Sequence, residues 1–362
     1  MIILFIYILI LIINTKMCNE ITKTKTKNNQ NQNIVHFIKC GHGDSILVEG
    51  KGHFGLIDSA NYIIGKNKFK DKNVFFVLKY LQKLKVQKLD FIIGTHSHSD
   101  HIGGIKEIVY EYVDNSTIYY YKKLNINLNL DKYINYKDYL NVMDSIKKKN
   151  ATIVDVTNKK IEFDVGDILL TILNTYNANK IILDENQNSI ITLIKYKNIK
   201  IVLPGDKTND YKILSHFGDI NILKFPHHGF GDISLNNLRN LKPAHIIISS
   251  DYIYPKTFKL IKYMKNKYKS KIYILKDIKK MAIKLYLDSN NIQNYYFDEN
   301  DTTEKILQKR LSESNKSKLS FSIILKIFLL KFKNKNLKIF LFDLLLITIF
   351  IILKKRSLNR KN

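Results

Sequence analysis

The 362-residue chain has no tryptophan, four prolines, two cysteines and only four arginines. Two cysteines, Cys18 and Cys40, cannot build a disulfide framework, so no disulfide partner is expected. Cys40 lies in an apolar run and reads as a small core residue. Cys18 follows a hydrophobic leader, but the preceding NTKM lacks the small residues expected before a lipidated cysteine. The scarcity of arginine qualifies the net charge of +27, which is nearly all lysine, spread along the whole chain beside abundant Asn, Ile and Tyr. That bias fits AT-rich coding DNA and a solvated lysine surface better than a dedicated nucleic-acid face, although a diffuse positive field still draws polyanions. No internal repeat stands out. With 45% hydrophobic residues the chain can bury one large core.

Histidine is scarce as well, ten in all, yet GTHSHSDHIGG (residues 94–104) holds His96, His98, Asp100 and His101 within six positions. LDFIIGT before it reads as a buried strand, and IGGIKEIVYEYV after it has apolar residues at helical spacing. The cluster therefore sits on a strand-to-helix loop, where His96 and His98 point the same way and Asp100 and His101 follow as the chain tightens. Imidazole and carboxylate are ligands for borderline cations such as zinc, and hydrolytic sites often hold two metals with a bridging water. Further candidates follow two other strand-like runs. IKIVLPGDKT ends in Asp206, a carboxylate suited to bridging two cations, and INILKFPHHGFGDIS ends in His227 and His228.

In this order the pieces resemble the metallo-β-lactamase superfamily, and more narrowly the hydrolase domain of the DNA-uptake competence channel protein ComEC and its free-standing relatives. VHFIKCGHGDSILVEG matches that branch's G-x-G-D turn with Gly41, Gly43 and Asp44. LIDSA matches its IDTG strand end, with Ala60 in place of the glycine, and QNSIITLIKYKNIKIVLPGD matches its strand pair leading to the bridging aspartate. LKPAHIIISSDYIYPKTFKLIKYM matches its closing strand, loop and helix. The resemblance covers about residues 33–297. It implies an α/β fold, the αββα sandwich of two mixed β-sheets flanked by helices. It also implies a dinuclear centre of zinc, or else manganese, on His96, His98, Asp100, His101, Asp206 and His228. His228 is favoured over His227 as ligand because the glycine after it matches superfamily loops. Most superfamily members place another ligand histidine before the bridging aspartate. Here none lies between His101 and His216, and Asn188 or Ser189 is expected near that gap. The branch's HHGS becomes His227-His228-Gly229-Phe230, and its closing HP becomes Tyr254-Pro255.

The chemistry implied is activation of water, with Asp100 both ligating and orienting it. Tyr254 and His227 are the candidates for protonating the leaving group. His42, in the glycine-rich turn, is open between substrate contact and support, and Asn188 and Ser189 are further candidate substrate contacts. Asp44 and Asp58 read as turn residues rather than ligands, and His36, His53, His216 and His245 as structural.

The ends point to a membrane. Residues 2–13 form an unbroken apolar run suited to a signal or anchor, followed by lysines, which under the positive-inside rule leaves the domain in the cytoplasm. A polar linker, residues 14–33, leads to the hydrolase domain at 34–297, then a charged linker at 298–318. The apolar and basic segment 319–362 is expected to associate with membrane. Two functions follow: a metal-dependent hydrolase of phosphodiesters or other esters, nucleic acid among them, or a non-catalytic metal-binding module of a transport or DNA-uptake assembly.

Overall fold

A computed structural model describes residues 32–62, 74–124, 136–173, 184–208, 214, 216–230, 233–250, 254–288 and 295–297. The expected anchor, the polar linker up to residue 31, and the expected C-terminal segments lie outside the described residues. Among the described residues no helix is long and apolar enough to cross a membrane.

Two sheets form the centre. The first has eight strands in the order β15-β14-β1-β2-β3-β4-β5-β6: Tyr295–Phe297, Ala282–Leu287, Asn33–Ile38, Ile46–Gly50, His53–Ile57, Phe91–Ile93, Ile118–Tyr121 and Thr152–Asp155. The second has seven in the order β13-β12-β11-β10-β9-β8-β7: Lys271–Ile274, His245–Ile248, Ile222–Lys224, Ile199–Leu203, Ile191–Tyr196, Ile168–Leu173 and Lys160–Val165. Each sheet is mixed. β3, β4, β5 and β6 run parallel, as do β10, β11, β12 and β13, while the remaining pairings are antiparallel.

Side-chain alternation explains the layering. Along β2 to β4, Ile46, Val48, Ile57, Phe91 and Ile93 face the other sheet, while Leu47, Leu56 and Ile92 face outward. Both sets are buried, so these strands read as continuous apolar runs. The outward set is covered by helices α1 (Val74–Leu84), α3 (Ile105–Tyr112) and α4 (Tyr136–Lys148). Val74, Val77 and Leu81 form the buried stripe of α1, and Ile105, Ile108 and Val109 that of α3, as a 3.6-residue period requires. Between β4 and α3 lies the one-turn helix α2 (Ser99–Ile102), and α5 (Leu235–Leu241) and α6 (Pro255–Tyr268) follow β11 and β12. The result is the αββα arrangement.

The carboxyl ends of five parallel strands carry the chemistry. Asp58 follows β3, His96 and His98 follow β4, Asp206 follows β10, His227 and His228 follow β11, and Ser249 follows β12. Strand ends in open α/β sheets are where functional groups converge, and here two sheets contribute.

Candidate metal centre

The loop after β4 is anchored by Asp58. Its carboxylate accepts hydrogen bonds from Thr95 N (2.8 Å), Thr95 Oγ1 (2.7 Å) and His101 Nδ1 (2.7 Å). Gly43 closes the loop from the other side. At φ 142° it has a backbone that L side chains rarely adopt, and a Cβ there would lie 2.6 Å from the Asp100 carbonyl oxygen. Close approach of the Gly43 turn to Asp100 therefore requires glycine.

Hydrogen bonds assign the imidazole tautomers. Thr95 Oγ1 gives its proton to Asp58, so its lone pairs accept from His96 Nδ1, 3.2 Å away. Ser189 Oγ lies 3.2 Å from the same nitrogen and accepts from Asp206 N at 3.1 Å. His101 Nδ1 is committed to Asp58. His228 Nδ1 lies 3.2 Å from both Asp44 Oδ1 and Ser249 Oγ, and Ser249 Oγ in turn donates to Asp44 at 2.5 Å. His96, His101 and His228 thus each tie down Nδ1 and turn Nε2 towards the centre. Histidines that ligate metals are oriented in this way.

The presented atoms converge. His101 Nε2 is 3.1 Å from His228 Nε2 and 3.2 Å from Asp206 Oδ1, and His228 Nε2 is 3.3 Å from Asp100 Oδ2. Nearby, His96 Nε2 is 3.1 Å from His98 Nδ1 and 3.9 Å from Asp206 Oδ2. Neighbouring donors on a tetrahedral zinc with bonds of about 2.0–2.1 Å stand about 3.3 Å apart, so the spacing fits. Asp206, 1% exposed, reaches both groups, with Oδ1 3.2 Å from His101 Nε2 and 3.9 Å from Lys224 Nζ. A carboxylate buried this deeply requires positive charge around it. The described residues therefore fit a cation: Asp44, His101, Asp206 and His228 each offer a ligand atom within 4.8 Å of the others, and so do His42, Asp100 and His228.

Charge supports the same assignment. Burial disfavours the imidazolium of His101, but the carboxylates of Asp206, Asp58 and Asp100 outweigh it and lift its pKa to about 10. His228, buried between Asp206 and Asp44, is also lifted well above the ordinary value. His96 goes the other way, since burial and the neighbouring His101 push it well below. Burial would raise Asp206 and Asp100, but the imidazoliums of His101 and His228 hold both carboxyls well below the carboxylate range. Protons on His101 and His228 thus supply part of the positive charge that cations would bring, and metal binding would release them.

The remaining expected residues are placed as follows. His228 is fully buried among the donors, while the His227 side chain is 22% exposed with Nε2 3.7 Å from Asp206 Oδ2. Both adopt φ near +50°, uncommon for non-glycine residues, in a 3-10 turn at Pro226–Gly229. His42 has a half-exposed side chain, with Nε2 3.9 Å from Asp100 Oδ2 and its ring 4.7 Å from that of His228. Ser189, in the gap left by the absent histidine, supports His96 and Asp206 from a buried position. Asn188 is also buried, and its amide holds the Glu185 carboxylate at 3.2 Å. Burial pushes the Glu185 carboxyl up, and its Oε1 accepts from Ser97 N in the histidine loop. Tyr254 packs edge-on against Phe230, their ring centres 4.3 Å apart.

Two supports were not legible as such. Asp44 holds its turn through the backbone, as expected, but its side chain also orients His228 and pairs with Lys224 Nζ. Lys224, 1% exposed, donates to the Gly205 carbonyl at 3.4 Å and lies 3.9 Å from Asp206 Oδ1. A signal existed: Lys224 is the one charged residue in the apolar run INILKF. An ammonium in a buried strand must be paired.

Residues 38–167 match the model of the metallo-beta-lactamase superfamily. No curated protein matches the chain. Among solved structures, the metallo-beta-lactamase fold protein YhfI from Bacillus subtilis is 13% identical over 70% of this chain and 98% of its own, with a TM-score of 0.45. Zn(2+)-bound PqqB from Methylobacterium extorquens is 12% identical over 67% of this chain and 97% of its own, with a TM-score of 0.43. CmlA, a diiron beta-hydroxylase from Streptomyces venezuelae, is 12% identical with a TM-score of 0.45. The alignment takes in 71% of this chain but 54% of CmlA.

Proposed function

With a metallo-β-lactamase fold and a candidate metal site as premises, we propose that this chain is a hydrolase of phosphodiesters that works with two divalent cations, zinc or manganese. The observation that carries the reading is the convergence of four imidazole nitrogens and two carboxylates, each histidine of the His96, His101 and His228 set having its other nitrogen tied. When bound, the cations would bring the pKa of a coordinated water near 7 and offset charge on the attacked phosphoryl group. Asp100 would accept a hydrogen bond from that water and orient it. His227, partly exposed with Nε2 3.7 Å from Asp206 Oδ2, is one candidate to protonate the leaving group, although burial lowers its pKa, and Tyr254 is the other. The lysine charge, spread along the chain as a solvated surface, draws anionic substrates diffusely and does not by itself single out nucleic acid. The apolar runs at residues 2–13 and 339–353 support association with a membrane, the domain facing the cytoplasm.

The test is elemental analysis of the full-length protein together with turnover of bis-p-nitrophenyl phosphate in wild type and His96→Ala. About two metals per chain, with hydrolysis lost in the variant, is the expected result. Metal without turnover of any phosphodiester would instead favour a non-catalytic metal-binding module, the role to which replacement of the branch's serine by Phe230 and histidine by Tyr254 would lend itself.

A further inference from the structure

Phe230 presents an aromatic ring at the rim of the metal centre. The ring is 52% exposed, yet it is held on two sides. Tyr254 meets it edge-on at 89° with centres 4.3 Å apart, and His227 lies 5.1 Å away at 59°. The backbone beneath it is fixed as well. Phe230 N donates to the His227 carbonyl at 2.5 Å, and Thr257 Oγ1 on α6 donates to the Gly229 carbonyl. His227 links the ring to the centre, with Nε2 3.7 Å from Asp206 Oδ2. The other large exposed hydrophobics, Phe75, Tyr110, Tyr136, Leu140 and Tyr296, sit on α1, α3, α4 and β15, so Phe230 does not belong to their elements.

We propose that Phe230, braced by Tyr254, is a stacking platform for a nucleobase attached to the phosphodiester at the metal centre. The proposal rests on the hydrolase reading and names its substrate class. A half-exposed ring held by two neighbours loses little conformational freedom on binding, and its exposed aromatic surface is one that any base can cover. Stacking of this kind is tolerant of sequence and strong enough to set a preference. A hydroxyl at position 230 would provide no such face. The platform therefore selects nucleotides over phosphodiesters that carry only alkyl groups.

The experiment uses the full-length, metal-loaded protein with two esters sharing one leaving group: thymidine 5′-p-nitrophenyl phosphate and methyl p-nitrophenyl phosphate. The expected wild-type KM is about tenfold lower for the thymidine ester, within the range one stacked base supplies. In Phe230→Ala the ratio of the two KM values falls towards one, and Phe230→Tyr restores it. Because the ring is half-exposed, its truncation leaves a foldable chain, which circular dichroism checks. Equal KM values in wild type, or a preference that survives in Phe230→Ala, overturns the platform. If neither ester turns over, the hydrolase reading fails separately, and calorimetry with thymidine 5′-monophosphate decides the platform. Binding weakened about tenfold in Phe230→Ala upholds it, and unchanged binding removes it.

Discussion

The two halves of the proposed metal centre rest on different supports. In one half, His96 leans on hydroxyls, those of Thr95 and Ser189, and carries no carboxylate on its Nδ1 among the described contacts. In the other, His101 donates to Asp58 and His228 to Asp44, and Asp44 is in turn paired with the buried Lys224. A carboxylate behind a ligating imidazole raises its basicity and fixes its orientation, whereas a hydroxyl fixes orientation alone. The protonation states follow the same division, since His96 is held neutral while His101 and His228 are held charged until a stronger cation arrives. The carboxylate-backed half is therefore expected to bind its cation more tightly, and the hydroxyl-backed half to exchange more readily.

Asp206 is shared by both halves, so its loss should erase the comparison altogether. Asp206→Ala is expected to abolish second-metal binding and reduce hydrolysis to background, read by elemental analysis and phosphodiester turnover. A variant that kept full activity would sink the two-metal mechanism.

Lys224→Met strikes one half from behind. It strands the Asp44 carboxylate in the interior, which should cost about 3–5 kcal/mol of stability in urea unfolding. A loss under about 1 kcal/mol, the size of an exposed pair, would mean that Lys224 is not the partner Asp44 needs.

Asp58→Ala and Ser189→Ala measure the difference between the halves directly. Removing the carboxylate behind His101 should weaken zinc binding roughly 10- to 100-fold in a chelator competition. Removing the Ser189 hydroxyl should cost less, because Thr95 still accepts from His96. Equal losses would show that charge in the supporting layer is irrelevant here.

A further contrast is in pH. His101 has a folded pKa of about 10 against an ordinary 6.5, so its imidazolium stabilises the metal-free fold fully below pH 6.5. That contribution is lost as pH rises through the folded value. The urea midpoint of metal-stripped protein should decline from about pH 6.5 to pH 10, while the metal-loaded form, whose imidazoles are already deprotonated, stays flat across the window. A flat profile for the stripped protein would place His101 outside the charged network.

The histidine cluster was legible because its members are neighbours in the chain and of a rare residue type. The strand ends bearing Asp206 and His228 were legible for a related reason, as each follows an apolar run ending in a Pro- or Gly-marked turn. The supports were not. Ser249 and Asp44 are 205 positions apart, and nothing in either segment signals the other. Asp58 resembles any aspartate after a strand until His101 is folded onto it. Asn188 and Ser189 were expected as substrate contacts near the gap before Asp206; both are buried, Ser189 against His96 and Asp206 and Asn188 against Glu185, and only folding shows that.

By itself, then, the sequence determined the layers and the inventory of donors, because apolar periodicity and residue type act locally along the chain. Tertiary structure decided which nitrogen each histidine presents, which carboxylate stands behind it, and that Lys224 neutralises Asp44. Those outcomes depend on hydrogen bonds and charge pairs between segments that only the stacking of two sheets brings within 3 Å or so, where desolvation makes each pairing obligatory.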